Sequence, residues 1–236
     1  KKLLILHGNF MPNKKNVLVV AAHSDDEALG CAGTIAKHIA SNDNVYLLFM
    51  TDGVGSRHVT RDKVIDRQEK ATRVAKILSI SSMENLNFPD NKMDSVPLLD
   101  ITQSIEKKIS EVKPDIIYTH HIGDLNIDHQ ITHKAVMTAC RPQPGFSVKE
   151  IYAFEVLSST EWQTPGYCSF SPNVYIDITN YIDLKEAVLE VYDEEMREYP
   201  HSRSIENVLR VNTVRGNAVG VEYAEAFMLL RMIKSG

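Results

Sequence analysis

The fold of this chain is decided by the stretch Val17-Leu18-Val19-Val20-Ala21-Ala22-His23-Ser24-Asp25-Asp26-Glu27. Its first six residues form a continuous apolar run, which is typical of a strand buried on both faces. A helix should follow, because apolar residues recur at helical spacing at Ala28, Ala32, Ile35, Ala36 and Ile39. An imidazole and two adjacent carboxylates therefore stand where a buried strand passes into a helix.

The alternation of strand and helix continues along the chain. We predict strands at 45–50, 86–88 and 115–119, and helices around 64–78, 98–112 and 128–139. Beyond residue 142 the pattern is looser and predicts strands at 150–156, 174–178 and 223–233 and a helix at 182–195. This order favours one Rossmann-like α/β domain over residues 1–236, with an N-terminal extension at 1–16 and a C-terminal part at 141–236. Its mostly parallel sheet carries helices on both faces, and ligands bind at the carboxyl ends of such strands.

Composition excludes several classes of protein. The chain has 236 residues, 43% of them hydrophobic, and a net charge of −5, which argues against a disordered chain and against nucleic-acid binding. The three cysteines show no C-x-x-C spacing, and no apolar run reaches the length of a membrane span. No signal peptide is recognised at the start of the sequence. We therefore expect a cytoplasmic protein without membrane insertion, and a homo-oligomer is one state that the sequence allows.

The segment after the first predicted strand suggests a metal site. His23 and Asp26 are three residues apart, so both can reach one point at a strand-to-helix turn, while Asp25 projects to a different side. A catalytic zinc needs three N/O ligands and an open position, with a nearby carboxylate to take the proton of water. The alternative is a capping box formed by Ser24 and Glu27, with an Asp in the first turn of the helix. Capping leaves His23 unexplained.

A second polar segment, residues 123–133, follows the strand predicted at 115–119. His129 and His133 share a helix face, and the reversal of strand order between the first and fourth strands would bring His129 towards His23 and Asp26. Alternatively, Asp128 is the helix N-cap and His129 a surface residue of the first turn.

Together the two segments resemble the PIG-L/LmbE-type family of zinc-dependent N-acetylsugar de-N-acetylases. The family motif His-Pro-Asp-Asp-Glu stands here at residues 23–27, and the motif His-x-Asp-His stands at residues 126–129. The resemblance also includes Thr51-Asp52-Gly53 and Arg67-Gln68-Glu69. It implies that Zn²⁺ is bound by His23, Asp26 and His129, and that Asp25 is the general base.

The resemblance assigns two further residues to the substrate side of the site. Arg67 matches an arginine that contacts substrate in relatives, although a solvated charge beside Glu69 is an equally simple interpretation. Asp128 would orient a metal ligand or a substrate-side group.

The sequence departs from the family pattern at two positions. Ser24 replaces proline, which exchanges a turn residue for a capping residue. Asn126 replaces the first histidine of the second motif; asparagine can donate a hydrogen bond to an oxyanion but cannot carry a proton. Either Asp25 performs all the proton transfer, or activity is weakened or redirected, or another group takes part, the candidates being His120, His121, Asp124 and His133.

The predicted function is removal of the N-acetyl group from a small N-acetylglucosamine-like sugar or sugar conjugate. Two alternatives stay open. One is metal-dependent hydrolysis of another bond. The other is a sugar- or nucleotide-binding protein that has lost catalysis, which the asparagine at position 126 suggests.

Overall fold

The computed structural model describes residues 14–51, 53 and 61–234. Most of the predicted extension at 1–16 and Asp52 of the third matched segment lie outside the described residues. The side chain of Val64, at the start of the helix predicted around 64–78, lies outside them too.

One seven-stranded sheet runs through the described part of the chain in the order β3-β2-β1-β4-β5-β7-β6. The strands β3, β2, β1, β4 and β5 are parallel, and β7 runs antiparallel to both of its neighbours. This confirms the predicted mostly parallel α/β fold. The strands are β1 (Asn16–Ala21), β2 (Asn44–Thr51), β3 (Ser82–Phe88), β4 (Ile116–His120), β5 (Glu150–Phe154), β6 (Val174–Asp177) and β7 (Ala224–Met232).

The helices lie on both faces of this sheet. They are α1 (Asp26–Ala40), α2 (Arg61–Ile77), α3 (Leu98–Val112), α4 (Ile127–Ala139), α5 (Ile182–Val191) and α6 (Ile205–Asn217). Single 3₁₀ turns occur at Met93–Ser95 and Thr179–Tyr181. Within the described ranges, none of the helices has the length and apolar character needed to cross a membrane.

Three elements of the structure differ from the predictions. Strand β3 starts at Ser82, before the predicted start at residue 86. The prediction missed this start because an edge strand alternates polar and apolar residues and lacks the continuous apolar run of a buried strand. Helix α5 ends at Val191, before residue 195. Helix α6 was not predicted; only Val208, Asn212 and Gly216 are buried along it, which is too weak an apolar stripe to be recognised.

The core consists of two apolar layers, one on each face of the sheet. Alternate residues of β1 point to opposite faces, so Val17 and Val19 pack in the layer that includes α1 and α5, and Leu18 and Val20 pack in the layer that includes α3 and α4. All four are fully buried. Burial on both faces holds β1 in place, and with it the polar segment at residues 23–27 that follows this strand.

Helix α1 is interrupted at Cys31, whose backbone is non-helical with φ −152° and ψ 20°. The break leaves amide groups without helical carbonyl partners. The carboxylate of Glu225 on β7 accepts from two of them, the N–H of Gly33 at 3.0 Å and that of Thr34 at 2.7 Å. Glu225 thus caps the longer second segment of α1.

A buried lysine completes this arrangement from α5. Lys185 Nζ donates to the Leu29 carbonyl at 2.9 Å, just before the break, and to Glu225 Oε1 at 2.7 Å. The two charged side chains are 0% and 1% exposed. The pair therefore separates the first turn of α1, which carries the acidic motif, from the rest of the helix.

We expect Glu225→Gln to lower the free energy of unfolding by about 3–5 kcal/mol, because it leaves the Lys185 ammonium buried without its carboxylate partner. Urea denaturation measures the change. Glu155→Gln is the matched control, since it breaks the partly exposed pair with Arg215 and should cost about 0–1 kcal/mol. Equal losses in the two variants would contradict the importance of the buried pair.

Candidate active site

Strands β1 and β4 pair in parallel, with Val17, Leu18 and Val19 opposite Ile116, Ile117 and Tyr118. The order of the parallel strands reverses between them, because β2 follows β1 on one side and β5 follows β4 on the other. Their carboxyl ends therefore open a crevice at the topological switch point, where α/β sheets bind ligands.

The three residues predicted to bind metal come together in this crevice. His23 Nδ1 lies 3.2 Å from Asp26 Oδ2, and His129 Nε2 lies 3.4 Å from Asp26 Oδ1 and 3.3 Å from His23 Nδ1. All three residues are buried, and one ligand atom from each lies within 4.8 Å of the others. The two segments, about a hundred residues apart in sequence, thus form one cluster of nitrogen and oxygen donors.

Asp124 fixes the far side of the His129 ring. Its Oδ1 lies 3.1 Å from His129 Nδ1 and accepts from the Ser159 hydroxyl, and its Oδ2 accepts from Thr160 Oγ1 at 2.7 Å. Burial opposes the charge, but His129 and the hydroxyl donors outweigh it and lower the pKa of Asp124 to about 2. Burial likewise disfavours the charged His129, yet Asp26 and Asp124 raise its pKa to about 9.

Asp90 and Asp128 lie against the other nitrogen of His23. Their carboxylate oxygens are 3.1 Å and 3.3 Å from His23 Nε2. The Asp128 carboxylate also accepts from the backbone N–H groups of Asn91 at 2.6 Å and Met93 at 3.1 Å. The three residues form a second buried group with metal-ligand geometry that shares His23 with the first.

The chemistry of these donors fits a divalent metal ion. Two imidazoles and one carboxylate are ligands of the kind that zinc takes at catalytic sites. A carboxylate on the outer nitrogen of each ligating histidine is the usual arrangement around such a metal. The raised pKa of His129 also shows that this acidic cluster favours positive charge.

Asp25 stands apart from this cluster, on the side facing α2 and the segment before α6. Its Oδ1 lies 3.3 Å from Arg67 Nη2, and its Oδ2 lies 3.0 Å from Arg203 Nη1. The backbone of Asp25 has φ 138°, a conformation that non-glycine residues adopt only under tertiary constraint. Burial raises the pKa of Asp25, against the lowering effect of Arg67 and Arg203.

Arg67 makes its contacts with protein groups on this side of the site. Its Nη2 donates to the Ser24 carbonyl at 2.6 Å, its Nε donates to Ser24 Oγ at 3.0 Å, and its Nη1 pairs with Glu195 at 2.6 Å. The guanidinium is therefore a cross-link between α2, the turn before α1 and the segment after α5.

The alternative of a Ser24–Glu27 capping box is wrong in its first half. Asp25, not Ser24, is at the N-cap position of α1 and makes no capping hydrogen bond with its side chain, while the Ser24 hydroxyl accepts from Arg67. Glu27 does reach back, and its Oε2 accepts from the N–H of Asp25 at 3.0 Å while Oε1 accepts from the Tyr192 hydroxyl at 2.7 Å. Burial raises the pKa of Glu27 to about 7.

Asn126, not Asp128, is the N-cap of α4. Its Oδ1 accepts from the N–H of Asp128 at 2.8 Å, which leaves the amide Nδ2 as the group that can donate to a ligand. That nitrogen lies 3.4 Å from Asn91 Oδ1. The alternative of His129 as a surface residue is also wrong, because His129 is 1% exposed.

The other histidines named as candidate proton carriers have structural partners. His120 Nε2 accepts from the N–H of Ala22 at 2.8 Å, and its ring stacks on His129 with centroids 3.9 Å apart. Burial and the neighbouring His129 lower the pKa of His120 to about 4. His133 donates to the His120 carbonyl at 2.8 Å, and His121 donates to the Cys168 carbonyl at 2.6 Å.

Sequence reasoning missed three residues of the site. Asp90 follows β3, so the rule that places ligands at the carboxyl ends of strands could have found it. Arg203 and Glu195 gave no such signal, because they lie in the irregular segment between α5 and the unpredicted α6.

Comparison with known proteins identifies the family of this chain. The sequence profile of the PIG-L family, described as GlcNAc-PI de-N-acetylase, matches residues 18–140, which is more than half of the chain. The chain belongs to the PIG-L family, as its two motifs predicted. It is therefore an enzyme of a family of hydrolases.

Two relatives and one solved structure are similar to this chain. The uncharacterized deacetylase YaiS of Escherichia coli is 29% identical over 183 residues, which are 75% of this chain and 90% of that protein. The 4-oxalmesaconate hydratase of Pseudomonas putida is 27% identical over 201 residues, 77% of this chain and 74% of that protein. The structure of N,N'-diacetylchitobiose deacetylase from Pyrococcus horikoshii is similar in fold, with a TM-score of 0.76 at 20% identity, over 97% of this chain and 88% of that one.

We expect the purified protein to bind about one equivalent of a divalent metal ion per chain, because catalytic sites of this ligand type hold a single ion. His129→Ala should lose it, since the change removes one of three ligands. Elemental analysis of protein purified without chelator or histidine tag measures the content. His133→Ala is the matched control, one turn further along α4, and should keep the metal. Equal metal content in the two variants would contradict the ligand assignment.

Proposed function

We propose that this chain is a zinc-dependent N-deacetylase that acts on an N-acetylglucosamine-like sugar or sugar conjugate. The observation that carries the proposal is the convergence of His23, Asp26 and His129 beside the separate carboxylate of Asp25. Membership in a family described as GlcNAc-PI de-N-acetylase supports the choice of an N-acetylated sugar.

The proposed reaction cleaves the acetamide C–N bond. Water adds its oxygen to the carbonyl carbon, and the two hydrogens of water end on the carboxyl group and the amine. The products are acetate and a free amino sugar. Because an amine leaves poorly unless it is protonated, the site needs a group that both takes and returns a proton.

Zinc held by His23, Asp26 and His129 would supply Lewis-acid polarisation and lower the pKa of water to about 7. Asp25 accepts the proton of the attacking water and then delivers it to the leaving nitrogen. The two arginines hold its carboxylate while it does so. Asp25 can serve in this role because its carboxylate is not one of the predicted metal ligands and is therefore free to take a proton.

The remaining predicted residues position these groups. The Nδ2 of Asn126 donates a hydrogen bond to the oxygen that becomes negative when water adds. The Oδ1 of Asn126 is already engaged as the cap of α4, which leaves Nδ2 available for this hydrogen bond. Asp128 orients His23 through Nε2. The contacts of Arg67 with Ser24, Asp25 and Glu195 favour positioning of the base over direct contact with substrate.

A second candidate is addition of water to a carbon–carbon double bond of a small acid. The observation that favours it is the relative named as a hydratase. The product distinguishes the two, because hydration releases no acetate. A protein that only binds its ligand would return an N-acetyl sugar unchanged.

We also propose that the described residues form one domain in a reducing compartment such as the cytoplasm. The strands β5, β6 and β7 of the C-terminal part complete the same sheet as β1 to β4. All three cysteines are free thiols, and unpaired cysteines are typical of such compartments.

The first test is release of acetate from N-acetylglucosamine and its β1,4-linked dimer by the zinc-loaded protein. Acetate and free amine should appear in equal amounts. Asp25→Asn should keep the metal and lose about 10²–10⁴ in kcat, because amide oxygen is a poor proton acceptor. Asp193→Asn, at an exposed position just after α5, is the matched control and should leave kcat unchanged. A fully active Asp25→Asn variant would refute the assignment of the base.

Asn126→Ser tests the oxyanion donor separately from the helix cap. Serine keeps an N-cap acceptor but removes the amide N–H, so kcat should fall by about 10²–10³ with little change in melting temperature. Steady-state kinetics and thermal unfolding measure the two effects. A drop in melting temperature with unchanged kcat would show that Asn126 serves the helix alone.

A further inference from the structure

Arg203 reaches Asp25 from a part of the chain that the family profile does not match. Its Nη1 lies 3.0 Å from Asp25 Oδ2, and its Nε donates to Ser158 Oγ at 2.9 Å. The arginine side chain is 18% exposed and the aspartate side chain is 2% exposed. The contact is therefore a largely desolvated, charge-assisted hydrogen bond rather than a surface ion pair.

The segment that carries Arg203 is itself well fixed. The N–H of Arg203 donates to His201 Nδ1 at 3.0 Å, and the His201 ring contacts the Trp162 ring edge to face at 5.5 Å. The next residue, Ser204, caps α6 by accepting from the N–H of Asn207. Arg203 is thus held by a helix start on one side and by the loop after β5 on the other.

The state of Asp25 explains why such support is needed. A non-glycine residue at φ 138° persists only when surrounding contacts hold it. Arg67 holds one carboxylate oxygen from α2, and Arg203 holds the other from the segment before α6. With both oxygens engaged from different sides, the plane of the carboxylate is set.

We propose that Arg203 is a positioning residue that fixes the Asp25 carboxylate for proton transfer. The role rests on the proposed function, in which Asp25 is the base. Because Arg203 contacts none of the three predicted metal ligands, its loss leaves metal binding intact. Because it acts through Asp25 and not on the substrate, its loss lowers kcat and leaves KM nearly unchanged.

The test uses Arg203→Ala in the full-length, zinc-loaded protein. We expect kcat to fall about 100-fold, as for a catalytic group displaced by about 1 Å, with metal content and KM within twofold to threefold of the wild type. Guanidinium chloride at tens of millimolar should restore part of the lost rate, because guanidinium ion can occupy the vacated site beside Asp25. Arg203→Lys should retain part of the rate, since it keeps the charge.

Arg215→Ala is the matched control. Arg215 lies on α6 and pairs with Glu155 through two hydrogen bonds, at 2.9 Å and 2.7 Å, without contact to Asp25. Its loss should leave kcat within twofold, and guanidinium should not accelerate it. A rise in KM alone for Arg203→Ala would overturn the proposal in favour of substrate contact. Loss of metal, or failure of guanidinium to restore any rate in a folded variant, would also overturn it.

A double-mutant cycle on thermal unfolding separates this proposal from the proposed function. If Arg203 holds Asp25, Arg203→Ala should lower the melting temperature clearly in the wild type and much less in Asp25→Asn. Additive shifts would overturn the positioning role even in an active enzyme. If no N-acetyl sugar releases acetate, the proposed function fails, and the cycle still decides whether the two residues act as a unit.

Discussion

The parallel pairing of β1 with β4 is the constraint on which the site depends. It brings together two polar segments that lie about a hundred residues apart in sequence. The strand order reverses between β1 and β4, so the connections that follow these two strands cross to opposite faces of the sheet. The apolar residues of β1 are buried in both core layers, so this strand cannot slip without exposing one of them. The relative positions of His23, Asp26 and His129 therefore depend on the packing of the hydrophobic core.

The crevice between β1 and β4 also concentrates negative charge, which positively charged groups must balance. Asp26, Asp90, Asp124 and Asp128 surround two histidines, and all of them are buried. Burying carboxylates without cations is costly, and the raised pKa of His129 shows how the cluster responds when imidazole is the cation at hand. The buried carboxylate of Asp25 is instead compensated by two arginines, Arg67 and Arg203. In the proposed function these acidic residues have two roles, because Asp26 binds the metal ion and Asp25 is the base.

The sequence predicted the parallel half of the fold from local apolar runs, and it predicted that His23, Asp26 and His129 come together from the position of their segments after two such strands. Val17 to Ala22 form a run that only a buried strand explains, and His23 has no use in a capped turn. Asp90, Glu195 and Arg203 were missed for a different reason. The end of β3 was predicted, but the contact of Asp90 with His23 depends on tertiary structure. Glu195 and Arg203 lie in the irregular segment between α5 and α6, and their contacts with Arg67 and Asp25 are also tertiary.

The C-terminal part of the chain supports the site through contacts that lie outside the matched family segment. The Lys185–Glu225 pair holds the break in α1, which sets the direction of the first turn after Asp25. Tyr192 and Glu195 hold Glu27 and Arg67, and Arg203 holds Asp25 itself. In the proposed function the motif at 23–27 supplies the reacting groups, whereas α5, β7 and the start of α6 hold the side chains of this motif through the contacts named above. A strained base needs such external support, because the turn that bears it would relax to an ordinary helix start without it.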